Sequence, residues 1–169
     1  SGSQRGWLAG VFGTMSTNVD GNWTFTRGAA GNAVPVPANS RFTPAWGHYL
    51  RQHAAWLWLG RNGAQAGYSV LSDIAAAVAV LGHRRYLVDA ILPSAADSGA
   101  ALTQLTALNA QLASAYGTRF VNLLTSLAAG ANGSSEDTAD VAAGLVPRSL
   151  RSDHLHLNDA GYARVAAAF

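Results

Sequence analysis

Residues 85–92 read RYLVDAIL, an almost unbroken apolar run that stops at Pro93. Such a run is too short to cross a bilayer and too apolar to leave one face in water. A strand of a parallel sheet, covered by helices on both faces, satisfies that pattern. Residues 54–59 (AAWLWL, ending at Gly60) and 119–124 (RFVNLL) read the same way. Residues 23–26 (WTFT) are a shorter, alternating candidate strand.

Helical spacing fills the intervals. Residues 68–81 carry Val70, Leu71, Ile74 and Val78 on one face, with Gly82 placed as a C-cap. Residues 98–116 carry Leu102, Leu105, Leu108 and Leu112 on one side and stop at Gly117. Residues 43–53 place Trp46, Tyr49 and Leu50 at helical spacing, and a last helix starts at Asn158 with Asn or Asp as its cap. Residues 7–12 (WLAGVF) read as a helix or as an apolar strand ending at Gly13. Residues 31–44, rich in Gly, Pro and Asn, predict a loop; residues 128–143 predict a surface loop or weak helix. Strand alternating with helix predicts an α/β fold of three layers with right-handed crossovers. The chain of 169 residues suits a single domain, 1–169.

Composition narrows the function classes. Apolar residues make up 49% and charged residues 12%, which is a globular balance. All 11 basic residues are Arg, and only Arg84 and Arg85 are adjacent. A net charge of +2 with scattered Arg gives no basic patch for nucleic acid. Cysteine is absent, which excludes disulfides, thiolate metal sites and a Cys nucleophile. No apolar stretch is long enough for a membrane-spanning helix. Residues 34–37 (VPVP) follow Gly31 and Asn32, but no Gly-Lys-Ser/Thr ending makes a phosphate loop of this segment.

The chemistry concentrates near the C-terminus, where residues 153–162 read DHLHLNDAGY. A carboxylate and two imidazoles within four residues allow a metal site (Asp153, His154, His156), the acid–base half of a triad, or a helix cap beside a solvated imidazole. No other His, Glu or Cys cluster supports the metal. The i to i+3 spacing lets Asp153 and His156 meet on one side of a turn, and His154 then faces away. His48, His53 and His83 read as surface or satisfied core residues. Trp56 and Trp58 share a strand face and read as core rather than as a sugar platform, whereas Trp7 or Trp46 could line a pocket.

Three blocks in order resemble the SGNH (GDSL-type) serine hydrolase family of esterases and lipases. Asp153-x-x-His156, followed by Leu157-Asn158 and Gly161-Tyr162, is similar to the family's last block. Residues 57–64 (LWLGRNGA) resemble the Gly-x-Asn block, with Asn62 as its amide and Gly63 where the family usually has Asp. Residues 26–34 (TRGAAGNAV) resemble the Gly block, with Gly31 as the key residue and Gly28 as its partner. The resemblance implies a flavodoxin-like α/β/α fold around a mainly parallel sheet. It implies a catalytic triad of serine, Asp153 and His156, and an oxyanion hole from the nucleophile's N–H, the Gly31 N–H and the Asn62 amide. No cofactor and no metal are implied.

The family's first block, Gly-Asp-Ser-Leu, has no counterpart here. Counting back from Gly31 places the nucleophile at Ser1, with Ser3 in the place of a following Thr. Ser3 itself is the alternative nucleophile, and Ser16, in residues 11–17 (VFGTMST), is third because it lies too close to Gly31. The strand that precedes the serine in the family is then expected upstream of Ser1. The expected activity is hydrolysis of a small acyl ester or a carbohydrate O-acetyl ester through an acyl-serine. The rival expectation is an inactive SGNH-like domain that binds a glycan or protein partner.

Overall fold

The computed structural model describes residues 2–47, 53–65 and 69–169. Ser1 and residues 48–52 of the helix expected over 43–53, His48 among them, lie outside these residues, as does the start of the one expected from Tyr68; residues 43–44 of that expected helix are strand instead. The chain divides into two compact units, Ser1–Ala54 and Ala55–Phe169. It is mixed α/β, with an antiparallel sheet in the first unit and a parallel sheet in the second.

The first unit holds β1 (Ser3–Leu8), β2 (Val11–Thr17), β3 (Trp23–Arg27) and β4 (Phe42–Pro44), in the order β3-β2-β1-β4. Residues 7–12, expected to be one element, are the two sides of a hairpin. Ala9 and Gly10 both take positive φ, 48° and 78°, the geometry that matches the twist of a two-residue hairpin. Alanine strains that position and gives no turn signal, so the apolar run hides the reversal. The 23–26 strand forms as expected, but it pairs antiparallel with β2 rather than joining a parallel sheet.

Two glycines make this sheet possible. Gly6 and Gly13 face each other across β1 and β2, and both are buried. A Cβ on Gly13 would lie 2.3 Å from the Thr26 carbonyl oxygen and 2.6 Å from the Phe25 ring. A Cβ on Gly6 would meet the Thr43 carbonyl oxygen and the Phe42 ring at those same distances. Phe25 and Phe42 thus reach in from the two outer strands and meet edge to face, 6.2 Å apart. Aromatic side chains covering strand glycines also pin the register.

The second unit holds β5 (Ala55–Leu57), β6 (Tyr86–Asp89) and β7 (Phe120–Val121), paired in parallel with β6 in the centre. Its helices are α1 (Arg61–Gln65), α2 (Val70–Leu81), α3 (Gly99–Tyr116), α4 (Leu123–Ala128), α5 (Ser135–Ala142) and α6 (Asp159–Ala166). The Leu stripe of α3 and the Val70–Ile74 face of α2 pack on Val88 and Ile91 in one apolar cluster. A second cluster joins Leu92, Leu123, Leu127, Val146, Leu150, Leu157 and Val165. Gly82 ends α2 in the left-handed region, as its position predicts.

The strands are shorter than the apolar runs that predict them. Residues 119–124 yield only Phe120–Val121, because Leu123 and Leu127 recur at helical spacing and start α4. After Asp89 the run continues as buried coil through Ser94. The Ile91 N–H donates to Asn109 Oδ1 (2.9 Å), and Asn109 Nδ2 donates back to the Ile91 carbonyl (2.9 Å). A side-chain amide on α3 stands in for the missing strand.

Asp89 is the polar exception inside this run. It is fully buried, Trp56 Nε1 donates to its Oδ2, and its Oδ1 has no partner among the described residues. Burial raises its pKa from the ordinary 3.8 to about 6, against the opposing Trp56 hydrogen bond. The folded state therefore holds this proton to higher pH than the unfolded chain does. Stability falls as pH rises from about 4 to about 6, the reverse of the usual carboxylate trend.

Two predictions follow from these contacts. Gly13→Val should destabilise the antiparallel unit by about 1–3 kcal/mol, read as lost hydrogen-exchange protection of β2 amides. Asp89→Asn should flatten the pH 4–6 slope and raise stability at pH 7 by up to roughly 3 kcal/mol, measured by denaturant unfolding across pH.

Candidate active site

The segment 151–157 is a closed loop whose ends pair. Arg151 and Leu157 form an antiparallel bridge, and the Ser152 N–H donates to the His156 carbonyl at 2.8 Å. Inside it, Asp153 Oδ1 accepts the N–H groups of Leu155 and His156, each at 2.7 Å. The other oxygen, Oδ2, lies 2.7 Å from His156 Nδ1. The Leu155 N–H, the His156 N–H and the His156 ring hold the Asp153 carboxyl well below the usual carboxylate range. With a proton on Nδ1 facing Asp153, the Nε2 lone pair is left to act as a base.

The loop rests on buried polar groups. Asp137, at the first turn of α5, accepts from the N–H of Asn132 (2.8 Å), the N–H of Ser149 (2.9 Å) and the Ser149 hydroxyl (2.6 Å). Burial pushes the Asp137 carboxyl up, but these donors and the Arg151 charge outweigh it, and the net shift is downward. Arg151 is buried; it donates through Nε to the Val146 carbonyl (2.7 Å) and is ion-paired with Asp140. Asn158 caps α6 by accepting from the Gly161 N–H (3.0 Å) and donates to the Ser149 carbonyl (2.8 Å).

Asn62 sits on α1, directly after the turn at Gly60. Gly60 has φ 110°, and a Cβ there would lie 2.5 Å from Val70, so both conformation and space demand glycine. Arg61 then fixes the helix by a two-pronged pair with Asp97, at 2.7 and 2.6 Å. Asp97 Oδ2 also accepts the Ser94 N–H (2.9 Å), and the Ala95 N–H donates to the His154 carbonyl (2.8 Å). One continuous set of bonds thus runs from α1 to the Asp153 loop.

Asn62 and His156 line one cavity of about 260 Å³, together with Trp58, Leu59, Arg61, Ile91, Leu92, Leu155, Leu157 and Tyr162. The second unit therefore brings together Asp153, His156 and Asn62. Gly28, Gly31, Ser3 and Ser16 belong to the antiparallel unit, and Ser1 is outside the described residues. Gly31 lies in coil, its carbonyl accepting from Arg27 at 3.2 Å. Ser3 opens β1 opposite Ser16, whose hydroxyl donates to the Thr24 carbonyl at 3.4 Å. Among the described residues no group of three His, Cys, Asp or Glu side chains could hold a metal ion.

Sequence reasoning places Trp56 in the core, yet it is 50% exposed. The Asp89 hydrogen bond holds its edge, and its ring stacks with Trp58 (6.0 Å) and makes an edge-type contact with Phe169 (4.6 Å). Tyr162, which packs edge-on to Trp58 at 6.4 Å, was legible only as part of the last block and not as a cavity wall. Asp89 had a signal, a lone carboxylate in an apolar run, while Arg61–Asp97 had none at a separation of 36 residues.

Asp137→Ala would take the shared buried acceptor away from two N–H groups and a hydroxyl. It should cost about 2–4 kcal/mol, measured by denaturant unfolding, and should broaden or shift the His156 ring resonances.

No family model, no curated protein and no solved structure matches this chain.

Proposed function

We propose that this chain is an ester hydrolase of the SGNH type, built on a flavodoxin-like α/β/α fold and acting through an acyl-serine. The observation that carries this reading is the Asp153–His156 pair, assembled by its own turn and sharing a cavity with the Asn62 amide. The resemblance of the sequence blocks supplies the remaining parts, with Ser1 as nucleophile, Ser3 as its alternative, and Gly31 as an oxyanion donor.

The reaction divides the labour as follows. The serine oxygen attacks the ester carbonyl carbon while His156 Nε2 takes the hydroxyl proton. Asp153 stabilises the imidazolium so formed and keeps the ring oriented. The carbonyl oxygen becomes an oxyanion, for which the Asn62 amide is a donor and for which the resemblance implies the Gly31 N–H and the nucleophile's own N–H as further donors. As the C–O bond to the alcohol breaks, His156 returns its proton to the leaving oxygen. Water then repeats the sequence on the acyl-serine and releases the acid. No step calls for a metal or an organic cofactor.

A serine-reactive fluorophosphonate tests this on the folded chain. One serine should be labelled, with labelling abolished by either Ser1→Ala or Ser3→Ala and sharply slowed by His156→Ala. Asn62→Ala should lower kcat by roughly 10²–10³. A folded protein that takes no label rejects the hydrolase and leaves the rival, an SGNH-like domain that binds a glycan or protein partner.

A further inference from the structure

We infer that the cavity beside His156 and Asn62 binds an apolar acyl group of about six to eight carbons, rather than an acetyl group. The chemistry of this inference rests on the hydrolase reading; the binding does not. Ile91, Leu92 and Leu157 form a buried floor, and Trp58 and Tyr162 stand as aromatic walls. At roughly 30 Å³ per water-sized group, a cavity of about 260 Å³ holds about eight heavy atoms. An acetyl group would leave most of that apolar surface against water, whereas a longer chain displaces the water and gains on each methylene.

The polar lining also points to a neutral chain. Arg61 reaches the cavity, but both Asp97 oxygens already hold its guanidinium, so it offers little free charge to an acyl group ending in a carboxylate. Asn62 and His156 are both exposed, unlike the buried floor, so the polar groups for a carbonyl lie at the solvent side. A sugar ring would need several hydroxyl partners, and the lining supplies few. The ester carbonyl thus belongs near Asn62 and His156, with its acyl chain inward over Ile91 and Leu92.

The test is equilibrium binding of acetate, butyrate, hexanoate and octanoate to the full chain carrying His156→Ala, followed by NMR or calorimetry. Each added methylene should tighten binding by about fourfold up to hexanoate or octanoate. Leu59→Trp, which fills the cavity from a partly exposed position, should weaken octanoate at least tenfold and acetate little. Should that variant fail to fold, Tyr162→Ala removes a half-exposed wall and should weaken octanoate selectively. Equal binding of acetate and octanoate, or octanoate binding indifferent to a folded cavity variant, overturns the inference. A nitrophenyl ester series on the unsubstituted chain separates the two claims. Hydrolysis that peaks at acetate rejects the acyl pocket and keeps the hydrolase. Chain-length-dependent binding without fluorophosphonate labelling keeps the pocket and rejects the hydrolase.

Discussion

The reciprocal pair of hydrogen bonds between Asn109 and the Ile91 backbone underlies the candidate site. Residues 90–94 are buried but are not strand, and buried backbone groups left unpaired would each cost a hydrogen bond's worth of stability. By satisfying both the N–H and the carbonyl of Ile91, Asn109 lets the chain leave the sheet without leaving the core. That departure turns Ile91 and Leu92 into the floor of a cavity. It also carries Ser94 and Ala95 to where they bind Asp97 and the His154 carbonyl.

The Asp153 loop shows how an exposed pair can still be well ordered. Asp153 and His156 lie in solvent, where an ion pair by itself contributes little. Their geometry comes instead from backbone donors on one carboxylate oxygen, which leave the other oxygen aimed at the ring. Stability is delegated to the buried Asp137 and Arg151, which bind backbone groups of the segment leading into the loop, at Ser149 and Val146. The exposed groups are thus free for chemistry, and the buried ones carry the cost of order.

This division explains what could be read from the sequence. The helices over 70–81, 99–116 and 159–166 were legible from local signals: apolar stripes with stop glycines for the first two, and the Asn158 cap for the last. So was the Asp153–His156 contact, since an i to i+3 spacing in a turn fixes it. The α5 helix was less legible: its sequence is small and polar, although Ser134 caps it by accepting from the Asp137 N–H at 3.2 Å. The hairpin at Ala9–Gly10 was hidden because alanine is not a turn residue. The Gly6–Gly13 pair makes sense only once Phe25 and Phe42, 12 and 36 residues away, are placed over it. Contacts of that range, like Arg61–Asp97 and Asn109–Ile91, depend on the topology, which no local pattern encodes.

Asp89 and Trp56 carry the same reasoning one step further. A buried carboxyl with one oxygen unpartnered among the described residues is costly, and a hydrophobic residue of similar size would remove the cost. What the carboxyl does provide is a fixed acceptor for the Trp56 indole, a ring that is half in water and is otherwise held by its aromatic contacts with Trp58 and Phe169. With its edge held, Trp56 lies nearly parallel to Trp58, at 13°, and Trp58 is a wall of the cavity that Asn62 and His156 share. The strain of one buried acid at the end of β6 is therefore tied, through two aromatic rings, to the shape of the pocket. Protonation below about pH 6 relieves the buried charge while the acid can still accept the indole hydrogen bond, so the wall should keep its orientation as the fold gains stability.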